Sequence, residues 1–278
     1  VARGGAALHG GGRLRATVSW LRLFLLFTRI GALNELAYRA NFFVQAFESI
    51  INVTTVLGTV AVVFLRTDQL AGWHVWELVA LIGVYFLVLG MINLVLAPSI
   101  TRFMEDVQQG TLDFTLTKPE DAQVLVSVSQ VHVWKVIDAL AGVALIILAT
   151  HRLGERIGPL AAGAFVLSLL AAGAIVYSLW IVLATLTFWF IRIENILMIF
   201  WSMYMAGRWP VAIYPGWMRT MLTVVVPIAF AVTVPAEAIS GRLTAGTLVL
   251  TLLVAVVMLT VSRWFWTYGL KHYSGASA

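Results

Sequence analysis

The longest stretch without Asp, Glu, Lys or Arg runs from Ile157 to Ile191, 35 residues of mostly apolar side chains. An ionisable group at mid-bilayer costs about 2.5 to 3.5 kcal/mol on insertion scales, and roughly 20 apolar residues cross the hydrocarbon core. Such a run commits the chain to lipid. At about 1.5 Å per residue one helix over it reaches roughly 50 Å, so it tilts, projects or begins in the interface. The pattern is not local. With 61% hydrophobic and 11% charged residues and a mean hydropathy of +0.94, the whole chain excludes a soluble globule. There is no cysteine, which removes disulfides, thiolate metal sites and a cysteine nucleophile.

Charge-free runs predict an all-α polytopic membrane protein with six transmembrane helices. The first covers about Asn41 to Leu65, interrupted by Glu48, and the second lies between Glu77 and Arg102. The third, about Val124 to Thr150, carries Lys135 and Asp138; the fourth lies within Ile157 to Ile191, and the sixth is Leu243 to Ser262. Between Arg192 and Arg242 the chain is apolar yet holds Pro210, Pro215, Pro227 and Pro235, four of the seven prolines. Ile193 to Met205 is short for a crossing, and Met221 to Val234 is broken by Pro227 and stopped by Pro235. This reads as a short fifth span and a broken, re-entrant outer segment over residues 207–243, irregular backbone that is tolerated only when covered by protein or lining a wet cavity. A seventh, kinked span is the alternative.

Six arginines fall within the first 39 residues, so the net charge of +5 marks a membrane-surface anchor and not nucleic-acid binding. With the N-terminus cytoplasmic, eleven basic residues lie on the inner side and six on the outer: Arg66, Arg152, Arg156, Arg208, Arg219 and Arg242. Both termini are therefore expected inside. Arg15, Arg22 and Arg29 share one face of a helix expected over 13–39, lying in the inner interface. Residues 1–12 and 271–278 are expected to be tails, with 13–270 a single transmembrane domain. No secretory signal is expected, because Arg22 and Arg29 interrupt the only apolar stretch near the start.

Residues 101–121 form the one sizeable inner loop. Glu105, Asp106 and Gln109 share a helical polar face, Gly110 is expected to end that helix, and Leu112, Phe114 and Leu116 alternate before Pro119. Solubility alone does not require the apolar Phe103, Met104 and Val107, so the loop either docks on another protein or packs on its own membrane base. Lys135 and Asp138, three apart, are expected to neutralise each other on one helical face. Glu237, after Pro235, is either a substrate contact or a helix-start acid. Gly142, with Ala139, Ala141 and Ala144, and the Ala-Ala-Gly-Ala clusters at 161–164 and 171–174 suit close helix packing. Phosphate-loop, zinc-protease and serine-hydrolase motifs are absent, and the five histidines show no metal-ligand spacing. No catalytic or metal residue is proposed.

The segments Gln108-Gln-Gly-Thr-Leu-Asp-Phe-Thr-Leu-Thr-Lys-Pro119 and Arg208-Trp-Pro-Val-Ala-Ile-Tyr-Pro-Gly-Trp217, set in this plan of spans, resemble the type-2 permeases of ATP-binding-cassette exporters, in a bacterial subgroup of unassigned substrate. The resemblance covers about residues 15–270. It implies a permease in the bacterial inner membrane, paired with a second permease subunit, either the same chain or a paralogue. Two cytoplasmic ATPase subunits would hold ATP and Mg, with no cofactor on this chain. It further implies a coupling role for the inner loop, with Phe103, Glu105, Asp106, Val107, Gly110 and Asp113 as candidates. Trp209, Pro210, Tyr214, Trp217 and Glu237 are candidates for a path taken by a lipid-like or amphipathic substrate among membrane lipids. A secondary transporter or a structural assembly subunit is the alternative. The topology is testable on intact cells, since the native chain has no cysteine. With single cysteines at Thr111, Gly154 and Gly216, an impermeant thiol reagent should label Gly154→Cys and Gly216→Cys but not Thr111→Cys; labelling of Thr111→Cys alone inverts the assignment.

Overall fold

The computed structural model describes residues 39–154, 158–190 and 194–273, and the regular structure within them is helical. The interfacial helix expected over 13–39 lies outside the described residues, except that Arg39 already opens the first helix. Helix α1 is Arg39–Phe64, α2 is Val75–Met91 and α3 is Ala97–Gln108. Short helices α4, Asp113–Leu116, and α5, Ala122–Ser127, lead into α6, Val136–Leu153, and α7, Pro159–Thr185. Then come α8, Glu194–Met205; α9, Gly216–Thr220; α10, Val234–Ile239; and α11, Ala245–Leu270. Five helical stretches are long and apolar enough to cross a membrane: Phe42–Phe64, Val75–Gln108, Val133–Leu153, Pro159–Phe188 and Ala245–Leu270. Between the last two lie the short α8 and a pair of helical segments, Gly216–Val225 and Ala229–Ile239, bent by 77°. That pair is the broken segment expected from the prolines. Below, the membrane face carrying residues 101–121 is the loop face, and the opposite one the return face.

Proline explains where the helices depart from α geometry. Pro98 lacks an N–H and crowds the carbonyl four residues before it, and the preceding turn, Ile92–Leu96, is a π-helix. The freed Leu94 carbonyl accepts the His132 N–H at 2.8 Å, while Ser99 Oγ donates to the Gln130 carbonyl at 2.8 Å and accepts the Gln130 N–H at 3.1 Å. These bonds hold residues 128–132 out of helix, so the third span starts at Val133 and not near Val124 as expected. Pro235 also behaves differently from expectation. A π-turn over Ala229–Thr233 absorbs it, and the helix continues to Ile239. The last helix runs past Arg263 to Leu270, well beyond the expected end at Ser262.

Helix α2 is the axis of the assembly. It is buried over most of its length, whereas α1 and α11 turn most of their surfaces outward. In lipid, helices gain little from hiding apolar surface, and close backbone approach takes over. A Cβ built on Gly142 of α6 would stand 2.3 Å from the Leu87 nitrogen, and one on Gly90 of α2 would stand 2.4 Å from the Ala139 nitrogen. Gly142 therefore does what its small neighbours suggested. The second alanine cluster also packs, with Ala171 and Ile175 of α7 against Ala255 of α11. Gly163 and Gly173 meet nothing within 4 Å. Replacing Gly142 with Val should separate α2 from α6 and cost about 3 kcal/mol or more. Gly163→Ala should leave thermal unfolding in detergent unchanged; equal melting of the two variants would refute this packing account.

Candidate functional site

The loop that follows α3 is built by a local rule. Gly110 sits at φ +69°, where a side chain would be strained, and closes α3 with paired bonds: Thr111 N–H to the Asp106 carbonyl at 2.8 Å and Gly110 N–H to the Val107 carbonyl at 3.2 Å. This is a Schellman termination, as expected at Gly110. Asp106 also accepts the Thr111 hydroxyl at 3.1 Å and meets Arg102 Nε at 3.2 Å, so its carboxylate holds the turn and is largely covered. Glu105 meets Arg102 more loosely, at 3.8 Å, and half of its side chain is open.

The alternating Leu112, Phe114 and Leu116 form one helical turn and not an extended strip. Leu112 is fully buried, Leu116 leans on the core, and Phe114 stands 76% exposed. Phe103, named as a docking candidate, faces inward between Phe188 and Trp266, at ring separations of 5.7 and 5.3 Å. Val107 packs against the same core. Asp113 lies beside Tyr273, and burial together with that carboxylate raises the Tyr273 phenol above its ordinary value. The two readings of the loop thus divide by residue: Phe103, Val107 and Leu112 serve its own base, while Glu105 and Phe114 are presented outward.

A second anchor was not foreseen. Asp121 caps α5 by accepting the Gln123 N–H at 3.0 Å, and Arg263 of α11 grips the Asp121 carboxylate through both terminal nitrogens while donating to Gln123 Oε1 at 2.8 Å. Gln123 Nε2 donates to the Tyr177 hydroxyl of α7 at 3.1 Å, and Ser127 completes the set. The network ties the loop's far end to two spans. An Asp before a short apolar helix is a readable capping signal; its partnership with Arg263, 142 residues away, needs the fold. Lys135 and Asp138 are not among the four ion pairs of the described residues. Asp138 is instead buried in the first turn of α6, where the helix dipole favours an acid, and Lys135 precedes that helix on the loop face.

On the return face the candidate path residues stand in different environments. Pro210 is buried and Trp209 half-buried, Tyr214 donates to the Ala206 carbonyl at 2.9 Å, and Trp217 is 70% exposed. The backbone carbonyl of Glu237 closes the turn after α10 by accepting the Arg242 and Leu243 N–H groups. Arg242 reaches back to Glu77 at 3.4 Å, over the Trp73 ring and to the Gly72 carbonyl, pinning the loop before α2. A groove of about 520 Å³ runs elsewhere, between α3 and α8 on the loop-face side, lined by Met104, Glu105 and Gln108 opposite Met198, Trp201 and Met205. At the head of α8, Arg208 donates from Nε to the Tyr85 hydroxyl at 3.2 Å and lies over that ring. Tyr85 stacks on Tyr204, whose hydroxyl donates to the Tyr85 carbonyl at 3.1 Å.

Helical spans, a broken return and a locked loop define a multi-pass membrane protein. Residues 50–277 match the family described as ABC-2 family transporter protein, which covers most of the chain, and the protein belongs to that family. It is an ABC-type permease. Members of the family are generally transmembrane components that work with ATP-binding-cassette ATPases. No curated protein and no solved structure matches the chain.

The Asp121 anchor carries a pH prediction. Hydrogen bonding from Arg263 holds the Asp121 carboxyl below the usual carboxylate range. Its stabilisation is therefore present above the unfolded value, about 4, and lost as pH falls through the lower folded value. Thermal melting of the purified chain from pH 7 to pH 3 should show the wild type losing an advantage over Asp121→Asn that is present at neutral pH. Because both side chains are partly open to solvent, that advantage is on the order of 1 kcal/mol. Parallel pH profiles for the two proteins would remove Asp121 from the account.

Proposed function

We propose that this chain is the membrane subunit of an exporter that moves an amphipathic or lipid-like substrate out of the cytoplasm or inner leaflet. The observation that supports it is the loop after α3: a Schellman turn fixed by Asp106, buried through Phe103 and Leu112, that presents Glu105 and Phe114 to whatever lies beyond the membrane. In this reading the loop face is cytoplasmic and both termini lie on that side. Two copies of a separate ATPase hold ATP and Mg and dock on the loops of two permease subunits, which are the same chain or a paralogue. Residues 13–270 act as one transmembrane domain.

ATP-driven closure of the ATPase pair pushes on the loop. Because α3 continues through a π-turn into α2, a push at Glu105 reaches the centre of the membrane along one continuous stretch, Val75–Gln108. A second route runs from Asp121 through Arg263 and Tyr177 into α11 and α7. Movement of the two subunits as bodies then opens a path at their interface, a two-state switch biased by nucleotide. The methionine- and tryptophan-lined groove between α3 and α8 suits an apolar tail of variable shape. The bilayer in which this takes place is the bacterial inner membrane.

The docking role separates Glu105 and Phe114 from their buried neighbours. The pair Glu105→Lys and Phe114→Ala should reduce the amount of ATPase that copurifies with folded permease about tenfold, in keeping with the loss of one central apolar contact and one charge contact. Its thermal melting should stay within about 1 kcal/mol of the wild type, as surface changes do. Phe103→Ala should lower melting itself. Full copurification and coupled transport by the Glu105 and Phe114 double variant would make the loop a surface connection.

A further inference from the structure

We infer that Arg208 is an anion-recognition site sunk below the return face, taking the phosphate or carboxylate of an amphipathic molecule. The inference rests on the transporter reading above and names the chemistry of its cargo.

Charge counting along the chain puts Arg208 on the return-face side, and its partner places it below the ion pair of Glu77 with Arg242. Tyr85 lies eight residues beyond Glu77, about 12 Å along α2 at the helical rise from the acid that pairs with Arg242 near the return face. Tyr85 is buried, and Arg208 is held against it by a hydrogen bond and by the face of its ring. The placement follows from the break in the chain. Helix α8 is only 12 residues long and ends at Met205, so the turn Ala206–Arg208 falls within the membrane and not beyond it. Gly207 lets the return approach there, since a Cβ on it would stand 2.6 Å from the Ile228 side chain beside Pro227.

The cation is incompletely compensated. Arg208 is not among the four ion pairs of the described residues; its partners there are the neutral Tyr85 hydroxyl and ring, and the buried Asp138 carboxylate, which acts on the same phenol, forms no ion pair with it. A guanidinium has five N–H donors in a planar fork, and the Tyr85 bond uses Nε alone. Among the described residues no bond engages its terminal amino groups, the pair of donors that carboxylates and phosphates accept in parallel. On the same side Arg242 is matched differently, with Glu77 as well as Trp73. Intramembrane charges face the bundle interior or a wet cavity and mark substrate paths, because lipid gives them no partner. The turn also continues the groove. Met198, Trp201 and Met205 line it at helical spacing, and Arg208 stands three residues beyond Met205. Apolar tail in the groove and anionic group at its head is the arrangement these residues suit.

The test uses the full-length permease without any ATPase, in nanodiscs of zwitterionic phosphatidylcholine, with radiolabelled dodecyl phosphate and neutral dodecyl maltoside as probes. Dodecyl phosphate should bind saturably and about tenfold more tightly than the maltoside, as expected for a charge-assisted pair of hydrogen bonds. Arg208→Gln should erase that preference while keeping maltoside binding, and Arg208→Lys should keep only part of it, since a lysine supplies the charge without the fork. Competition by phosphatidylglycerol placed in the nanodisc would assign the site to an anionic lipid headgroup, and binding that survives it to a separate single-chain cargo. Displacement by inorganic phosphate at equal concentration would overturn the requirement for an amphiphile. If Arg208→Gln does not fold, the wild type still decides, because equal affinity for the two probes overturns the proposal. So does undiminished phosphate preference in a folded Arg208→Gln. Since no ATPase is present, failure here leaves the exporter reading standing, and failure of ATPase copurification leaves this result interpretable.

Discussion

Close backbone contact between α2 and α6 is the constraint on which the remaining structure depends. A soluble bundle gathers its helices by removing apolar surface from water, but here lipid is as apolar as the side chains, and packing quality decides which surfaces meet. Gly83, Gly90 and Gly142 allow that contact by carrying no Cβ where the other helix's backbone already stands. Once α2 is fixed against α6, its remaining surface takes α10, the return and α8, and the fully buried Tyr85 becomes a reference point for the middle of the molecule. Helices α1 and α11 then lie at the rim, with large apolar side chains such as Phe43, Phe47, Val249 and Val256 turned outward as lipid requires.

Irregular backbone is a burden in a membrane, and here three of the breaks are matched by bonds. The carbonyl of Leu94 released by Pro98 is taken by His132, so the π-turn in the second span and the late start of the third are one feature. Tyr214 covers the Ala206 carbonyl after α8 ends, and Arg219 donates to the Ala212 carbonyl at 2.8 Å where the return begins. The lesson is mechanical as well as energetic. A stretch that changes from α to π geometry at Ile92–Leu96 keeps its continuity from Glu77 to Asp106 while holding a place where it can bend.

Much of this was legible in the sequence because insertion energy is local: the spans, the short α8, the broken return and the glycine at the end of α3 follow from charge, proline and glycine positions alone. Boundaries failed where tertiary bonds intervened, as at Val133, where Ser99 and Leu94 hold the preceding residues, and at Pro235, which a π-turn absorbs. In the loop, apolar residues could be counted but not oriented. Phe103 and Phe114 are the same residue type eleven positions apart, one covered by Trp266 and the other open, and only the three-dimensional arrangement separates them. Lys135 and Asp138 had the spacing to neutralise each other, yet the acid is used at a helix start, and the ion pair that ties spans together is the long-range one of Arg263 with Asp121.

The arginines of the described residues are held in different ways. Arg102, Arg242 and Arg263 each meet a carboxylate, and Arg152 lies over Trp76 at the end of its span. All four sit near a face of the membrane, where water shares the cost of a charge. Arg208 sits deeper and has a phenol in place of an acid. A carboxylate at that position would neutralise the guanidinium and lock it, whereas Tyr85 orients it and leaves the charge in place. A residue retained in that condition is suited to meet an anion that comes and goes, and a transport path is a place where anions do both.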